Sequence, residues 1–266
     1  MATLVSFHAH PDDESIITGG VMALAAERGH RVVLVVATRG EVGEVADGFL
    51  DPGESLADRR VIETERAAEV LGVDRVEFLG YRDSGMAGEP TNDHPECFWQ
   101  ADVTEAAGRL AEILTVEGTE VFTCYDSHGI YGHPDHIQVQ RVGRRAAEMA
   151  GVARVYEATM NRTRIREGTL EWAERDDIGD LPDPAELETI GTPDEEITTE
   201  VDVSAVLDRK RAALACHRSQ VDEDSFFLSM PDADFAMAFG IEWFIRVDAG
   251  APTQGGPLGR ERGLFG

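Results

Sequence analysis

Two short clusters of histidine and carboxylate side chains are the parts of this sequence whose residue types could do chemistry. The first spans residues 8–14 (HAHPDDE) and the second spans residues 131–136 (YGHPDH). Two imidazoles and one carboxylate around an open position form a catalytic Zn²⁺ site, in which a bound water is acidified to a pKa of roughly 7. The clusters therefore predict a metal-dependent hydrolase, with Zn²⁺ as the expected ion and Fe²⁺ as the alternative. His8 is expected to pack or to support the site from behind.

The spacing within the clusters gives each residue type a candidate role. His10 and Asp13 lie three residues apart at the beginning of a predicted helix, so both side chains can reach one point. His136 is the natural third ligand. Asp12, next to Asp13, could take a proton from the metal-bound water, and His133 could stabilise an oxyanion and protonate a departing amine.

Alternating strands and helices must position these clusters. Apolar runs of strand length lie at residues 4–8, 31–37, 75–79, 120–125 and 153–158. The segments between these runs have helical periodicity. This pattern is typical of βαβ units, so we predict an α/β fold with a Rossmann-like open parallel sheet in the order 3-2-1-4-5. In that order strands one and four are neighbours at the switch point, where a crevice opens at their carboxyl ends. The two clusters follow these strands and should converge there.

A single domain is expected over residues 1–249, with a Rossmann-like core at 1–160 and a C-terminal α+β elaboration at 161–249. The elaboration begins with a short helical stretch and an acidic linker. It continues with two further strands and a helix at 204–216. Its Gly- and Pro-rich end, residues 250–266, is expected to be a flexible tail.

The charge balance excludes several classes of partner. The chain has 51 acidic and 24 basic residues, a formal net charge of −27. This charge disfavours binding to nucleic acid and to anionic membrane surfaces. No apolar run approaches the roughly 20 residues of a spanning helix, and the start of the chain lacks the layout of a secretory signal. Three cysteines without CxxC spacing favour a cytoplasmic protein. We expect a small-molecule substrate, and a homo-oligomer is compatible with the sequence.

Together the clusters resemble the signature of the PIG-L/LmbE superfamily of zinc-dependent N-deacetylases. The AHPDDE block covers residues 9–14 and the GHPDH block covers residues 132–136. Supporting matches are Thr38-x-Gly40-Glu41-x-Gly43, Arg60-x-x-Glu63, the YRDSGM block from Tyr81 to Met86, and the segment from Lys210 to Gln220. The resemblance covers most of residues 3–247 and is nearest to mycothiol-type N-acetylglucosaminyl deacetylases.

The resemblance implies a role for each matching position. It implies that the metal ligands are His10, Asp13 and His136. It implies that Asp12 is the general base and that His133, oriented by Asp135, stabilises the oxyanion and assists the amine. It implies contacts to the substrate from Arg60, Asp83 and Tyr131. The implied reaction removes an N-acetyl group, or another N-acyl group, from a glucosamine-type sugar conjugate.

Two other classes of protein stay open from the residues alone. A 2-His-1-carboxylate set also serves non-haem Fe(II) oxygenases, although these usually have barrels of alternating strands. A non-catalytic Rossmann-like binding module is the second class, although no GxGxxG follows the first strand. Metal analysis with an oxygen-consumption assay separates an oxygenase from a hydrolase. Release of acetate from acylated amino sugars separates an enzyme from a binding module.

Overall fold

The computed structural model describes residues 1–172, 187–222, 224–247 and 259–265. Its strands are β1 (Thr3–His8), β2 (Arg31–Thr38), β3 (Arg75–Tyr81), β4 (Val121–Tyr125), β5 (Arg154–Thr159), β6 (Thr199–Asp202) and β7 (Ile241–Arg246). They form a seven-stranded sheet in the order β3-β2-β1-β4-β5-β7-β6. The first five strands are parallel, and β7 pairs antiparallel with β5 and β6. The predicted α/β fold and its 3-2-1-4-5 strand order are confirmed.

Helices cover both faces of this sheet. They are α1 (Asp13–Ile17), α2 (Gly19–Glu27), α3 (Leu56–Leu71), α4 (Val103–Val116), α5 (Gly129–Gly132), α6 (Pro134–Ala150), α7 (Arg162–Trp172), α8 (Leu207–Leu214), α9 (Phe226–Ser229) and α10 (Asp232–Phe239). Short 3₁₀ turns lie at Pro90–Asp93, Phe98–Gln100, Asp194–Glu196 and Ser204–Val206. Among the helices of the described residues, none has both the length and the apolar character that a membrane crossing requires.

The long helices α3 and α6 begin and end at residues that favour those positions. At the start of α3 the Ser55 side chain accepts a hydrogen bond from the N–H of Asp58, and Gly72 ends the helix in a left-handed conformation. Pro134 is the first residue of α6, and Gly151 ends that helix in the same way. These local signals fix the N-terminus of α6 beside the carboxyl end of β4.

The core lies on both faces of the sheet. In β2 every residue from Val32 to Thr38 has 0% exposure, as expected for a central parallel strand covered by helices. β1 pairs with β2 on one side and with β4 on the other, so its carboxyl end opens at the centre of the sheet. The loops that carry the two clusters therefore start from rigid, buried strands.

The last described residues, 259–265, pack against the rest of the chain, which corrects the prediction of a flexible tail for this part. Arg260 is 5% exposed, and its Nε donates to the carbonyl oxygen of Ile197 at 3.0 Å. Leu264 is buried in the hydrophobic core. An apolar side chain and a paired arginine anchor this end, although the Gly- and Pro-rich composition before it gives no such signal. The rest of the predicted tail, and residues 173–186 with much of the acidic linker, lie outside the described residues.

Candidate active site

The loops after β1 and β4 meet at the carboxyl edge of the sheet. The carboxylate of Asp13 lies between two imidazoles, because its Oδ2 is 3.4 Å from Nδ1 of His10 and 3.3 Å from Nε2 of His136. All three side chains are buried. The structure thus brings together the three residues that the sequence predicts as metal ligands.

A further histidine and two further carboxylates surround this group. The side chains of His10, His133 and His136 place ligand atoms within 4.8 Å of one another. A second group within the same distance consists of His10, Asp83 and Asp135. Two imidazole nitrogens and one carboxylate oxygen, with a position left for water, form the donor set of catalytic zinc sites. The residues present therefore fit a divalent metal.

The ring of His10 faces carboxylates on both sides. Its Nε2 is 3.2 Å from Oδ2 of Asp135 and 3.5 Å from Oδ1 of Asp83, while Nδ1 faces Asp13. Burial lowers the pKa of His10, but the three carboxylates outweigh burial and raise the pKa well above its ordinary value. An electrostatic field that favours a proton at this ring also favours a bound cation. With Nδ1 turned to Asp13, Nε2 is left to donate to the Asp135 carboxylate, as in metal sites where a carboxylate orients a ligating histidine.

The Asp135 carboxylate supports His10 rather than His133, which corrects the orienting role expected for it. Asp135 accepts hydrogen bonds from the N–H of Ser84, at 2.9 Å, and from the Ser84 hydroxyl. Its contact with His133 runs through the main chain, because the N–H of Asp135 donates to Nδ1 of His133 at 3.1 Å. The first N–H groups of a helix point toward the side chain that caps it, here His133. Because the main-chain N–H of Asp135 makes this contact, its carboxylate can contact Ser84 and His10.

His133 is the N-cap of helix α6. Because its Nδ1 accepts a hydrogen bond, the hydrogen of the neutral ring belongs on Nε2. Burial, followed by the neighbouring His10 and His136, lowers the pKa of His133 to about 4. At neutral pH the uncharged ring therefore has one N–H to donate beside the candidate metal ligands.

Asp12 has a main-chain conformation that residues other than glycine rarely adopt. Its φ is 98° and its ψ is −34°, and such strain costs about 1–3 kcal/mol unless the surroundings hold it. Burial raises the pKa of Asp12 to about 6, with Arg60 opposing this shift and Asp13 reinforcing it. A carboxyl group that titrates near neutral pH is suited to accept a proton from water.

Arg60, on helix α3, supports Asp12. Its Nη2 donates to Oδ2 of Asp12 at 3.2 Å and to the carbonyl oxygen of Pro11, and its Nη1 donates to the carbonyl oxygen of Gly40 at 3.0 Å. The side chain is buried, and a Cβ at Gly40 would lie 2.2 Å from Nη1. The resemblance implies a contact from Arg60 to the sugar, whereas the structure gives these N–H groups to protein acceptors because the loop after β2 closes over the guanidinium.

The other two residues expected to contact the substrate differ in exposure. Asp83 is buried and accepts a hydrogen bond from the N–H of Gly85 at 2.9 Å; burial raises its pKa, but His10 holds it well below its ordinary value. Asp83 therefore belongs to the carboxylates around His10. Tyr131 is 43% exposed, and its hydroxyl lies 3.3 Å from Nε2 of His136. Tyr131 is the member of this pair that an incoming ligand can reach.

Two histidines support the site from behind. His8 is buried, with Nδ1 at 2.8 Å from the Tyr125 hydroxyl and Nε2 at 2.8 Å from the Thr18 hydroxyl, as the expected supporting role requires. His217 pairs with Glu14 at 2.7 Å, a contact that spans 203 residues. Its spacing in the sequence is not that of a metal ligand, and sequence reasoning leaves it as a structural or substrate-facing residue. Its one signal is its position within the C-terminal block that resembles the family.

These features define a protein of the α/β class with a candidate metal centre at the switch point of its sheet. Residues 5–147 match the family model PIG-L, described as GlcNAc-PI de-N-acetylase, and the chain belongs to this family. The resemblance to the PIG-L/LmbE superfamily that the sequence motifs indicate is confirmed.

Similar proteins agree with this assignment. A 1D-myo-inositol 2-acetamido-2-deoxy-alpha-D-glucopyranoside deacetylase from Acidothermus cellulolyticus is 40% identical, over 99% of this chain and 94% of that protein. A protein of the same name from Thermomonospora curvata is 41% identical, over 97% of this chain and 94% of that protein. The solved structure of N,N'-diacetylchitobiose deacetylase from Pyrococcus horikoshii has a TM-score of 0.55 at 18% identity, covering 92% of this chain and 83% of that one, and shares the fold. The chain is thus an enzyme, a hydrolytic N-deacetylase.

Proposed function

We propose that the chain is a zinc-dependent N-deacetylase that removes the acetyl group from an N-acetylglucosamine glycoside. The observation that carries this proposal is the position of the Asp13 carboxylate between His10 and His136, with Asp12 and His133 beside it. The names of the curated relatives indicate the first substrate to test, an inositol glycoside of N-acetylglucosamine. Other N-acyl groups on the same amine are the natural variants of this substrate.

The proposed zinc ligands are His10, Asp13 and His136. Bound there, zinc would polarise the amide carbonyl and acidify the attacking water. An open strand-edge crevice with helices on both sides is unlike the barrel expected for a non-haem Fe(II) oxygenase, which supports hydrolysis over oxygenase chemistry.

Asp12 is proposed as the base that takes a proton from the attacking water. Its pKa of about 6 lets it accept this proton at neutral pH, and the Arg60 guanidinium holds its Oδ2 at 3.2 Å. The amine that departs must gain one proton. Asp12 carries one after the attack and can return it to the amine nitrogen, which completes the proton balance.

His133 is proposed to stabilise the oxyanion through the hydrogen on Nε2. Its Nδ1 is occupied by the N–H of Asp135, so the ring acts as a neutral hydrogen-bond donor. The resemblance implies that His133 also assists the departing amine. In the present proposal His133 keeps only the oxyanion role, and Asp12 returns the proton to the amine. Tyr131 is proposed as a contact to the substrate, because it is the exposed side chain beside His136.

Charge supports a neutral substrate of small size. The carboxylates at the site, Asp12, Asp13, Asp83 and Asp135, lie in a chain whose formal net charge is −27. A negative field of this kind attracts a divalent cation and repels polyanions. The described cysteines, Cys97, Cys124 and Cys216, are free thiols, which supports the proposal that the enzyme acts in the cytoplasm.

The direct test is mass-spectrometric detection of deacetylated product from a panel of N-acetylglucosamine glycosides, with the inositol glycoside included. We expect the zinc-loaded protein to release one acetate per amine formed. The His136→Ala protein should release none, and His94→Ala, a change at a histidine outside the site, should behave like the parent protein. Zinc binding without acetate release from any member of the panel would refute the proposed reaction.

A further inference from the structure

A buried network joins the C-terminal part of the chain to the main chain of Asp12. Oε2 of Glu14 accepts a hydrogen bond from the N–H of Asp12 at 2.9 Å. Oε1 of the same carboxylate accepts from Nε2 of His217 at 2.7 Å and from the Ser15 hydroxyl at 2.6 Å. Glu14 and His217 both have 0% exposure. The two carboxylate oxygens of Glu14 therefore bind different groups: Oε2 binds the Asp12 N–H and Oε1 binds His217.

The turn that carries His217 is fixed to helix α3. The N–H and the hydroxyl of Ser219 donate to the two carboxylate oxygens of Glu63, at 2.9 Å and 2.6 Å. Glu63 lies in α3, one turn after Arg60, and is also buried. The same helix thus anchors both the arginine that holds the Asp12 carboxylate and the turn that reaches the Asp12 main chain through Glu14.

Asp12 is consequently held at two points, its carboxylate by Arg60 and its N–H by Glu14. A positive φ of 98° at a non-glycine residue persists only where the surrounding structure imposes it. Nδ1 of His217 is buried and has no hydrogen-bond partner among the described residues. The polar contacts of this ring are therefore directed at Glu14 and its neighbour Ser15.

We propose that Glu14 and His217 are a pair of positioning residues that holds the main chain of Asp12 in its strained conformation, so that the Asp12 carboxylate faces the reacting water. The inference rests on the proposed function, in which Asp12 is the base. Without a donor at position 217, Oε1 of the buried Glu14 carboxylate loses one of its two side-chain donors and keeps only the Ser15 hydroxyl, and the hold of Glu14 on the Asp12 N–H is weakened. His217 belongs to the C-terminal elaboration, so this part of the chain would contribute to the reaction by positioning Asp12.

The matched variants are His217→Leu, which removes the donor while keeping an apolar volume, and His217→Gln, which can still donate an N–H to Glu14. Glu14→Gln is a second test with nearly unchanged shape, because one amide oxygen cannot accept from both Asp12 and His217. We expect kcat to fall about 10–100-fold in His217→Leu and Glu14→Gln, the range seen for partners that orient a reacting group. KM and the zinc dissociation constant should stay within about twofold, and His217→Gln should recover most of kcat.

Crystal structures of the zinc-loaded variants give a readout that does not depend on activity. We expect φ of Asp12 to leave the positive region in His217→Leu and to keep it in His217→Gln. A folded His217→Leu or Glu14→Gln protein with parental kcat, or with the parental Asp12 conformation, overturns the proposal, as does a loss of activity that merely follows a loss of zinc. If the parent protein releases no acetate, the proposed function fails, and the conformation of Asp12 in these structures still decides the positioning role.

Discussion

The loop after β1 and the loop after β4 both reach the site, and they supply it with different sets of side chains. The first supplies one imidazole, His10, and the carboxylates of Asp12 and Asp13; the second supplies two imidazoles, the Asp135 carboxylate and Tyr131. Each contains a non-glycine residue with positive φ, Asp12 at 98° and Ile130 at 65°. In the first loop the strained residue carries the proposed base. In the second it precedes Tyr131, which is the exposed residue of the site.

The two strained positions are held differently. Asp12 is fixed at its carboxylate and at its N–H by buried charged partners. Ile130 has no charged side chain to pair: its N–H donates to Asp126 at 2.8 Å, its carbonyl accepts from the N–H of Gly191 at 2.6 Å, and its side chain is buried in the hydrophobic core. Glycines with positive φ lie on either side of the Ile130–Tyr131 pair. The first loop therefore fixes the proposed base, and the second leaves the Tyr131 side chain exposed beside the site.

Asp12→Asn tests the loop after β1 and should have the largest effect on rate. Removal of a general base lowers kcat by about 10²–10⁴-fold, and the amide cannot accept the proton. Steady-state acetate release measures kcat, and elemental analysis should show zinc retained. Asp208→Asn, a change at an exposed aspartate, is the control. Loss of zinc with unchanged activity per bound metal would instead make Asp12 a ligand.

Substitutions of His133 test the loop after β4. His133→Ala should lower kcat by about 10²–10³-fold, as for loss of one oxyanion donor. His133→Gln keeps an N–H donor and should retain distinctly more activity than His133→Ala. Single-turnover measurements of both variants compare the chemical step directly. Equal losses in the two variants would show that the imidazole delivers a proton and does not act as a hydrogen-bond donor alone.

Asp135 lies in the second loop but supports His10 of the first, so Asp135→Asn tests the connection between them. The zinc dissociation constant should rise about 10–100-fold, because a carboxylate that orients a ligating histidine is lost. Competition with a chromogenic chelator measures this change. At saturating zinc we expect kcat near the parental value. A large loss of kcat under those conditions would restore the role of orienting His133.

Tyr131→Phe should have the smallest effect. The hydroxyl contacts the His136 ring at 3.3 Å, and one hydrogen bond contributes about 1 kcal/mol, or roughly fivefold in kcat/KM. The ring, which the substitution keeps, remains available for packing. Comparison of kcat/KM for the parent protein and the variant on one glycoside gives the result. A loss as large as that of Asp12→Asn would place the tyrosine among the reacting groups.

Much of the fold could be predicted because local signals agree with it. The unbroken apolar run of β2 predicts a strand buried on both faces, and Ser55 and Gly72 are residue types that favour the two ends of α3, where the structure has them. The strand order then places the two clusters side by side. Convergence of the proposed ligands follows from topology and needs no knowledge of side-chain direction.

The direction of each side chain within the site could not be read from the sequence. The spacing of residues does not show that the Asp135 carboxylate contacts Ser84 and His10. It also does not show that Asp135 contacts His133 through its main-chain N–H, at the start of α6, and not through its carboxylate. Nor does spacing show that Arg60 is enclosed, or that His217 reaches Glu14. These contacts depend on how distant elements pack, and short-range patterns carry no information on that packing.

In the proposed function, a single metal held where the two loops converge is required for hydrolysis of the sugar amide. Acetate release from an N-acetylglucosamine glycoside by chelator-treated protein, titrated with Zn²⁺, measures this requirement. We expect no release from the treated protein, then a rise that levels off at one Zn²⁺ per chain, with His136→Ala inactive throughout at the same zinc concentrations. Full acetate release from metal-free protein, or zinc-dependent release by His136→Ala at the parental rate, would contradict it.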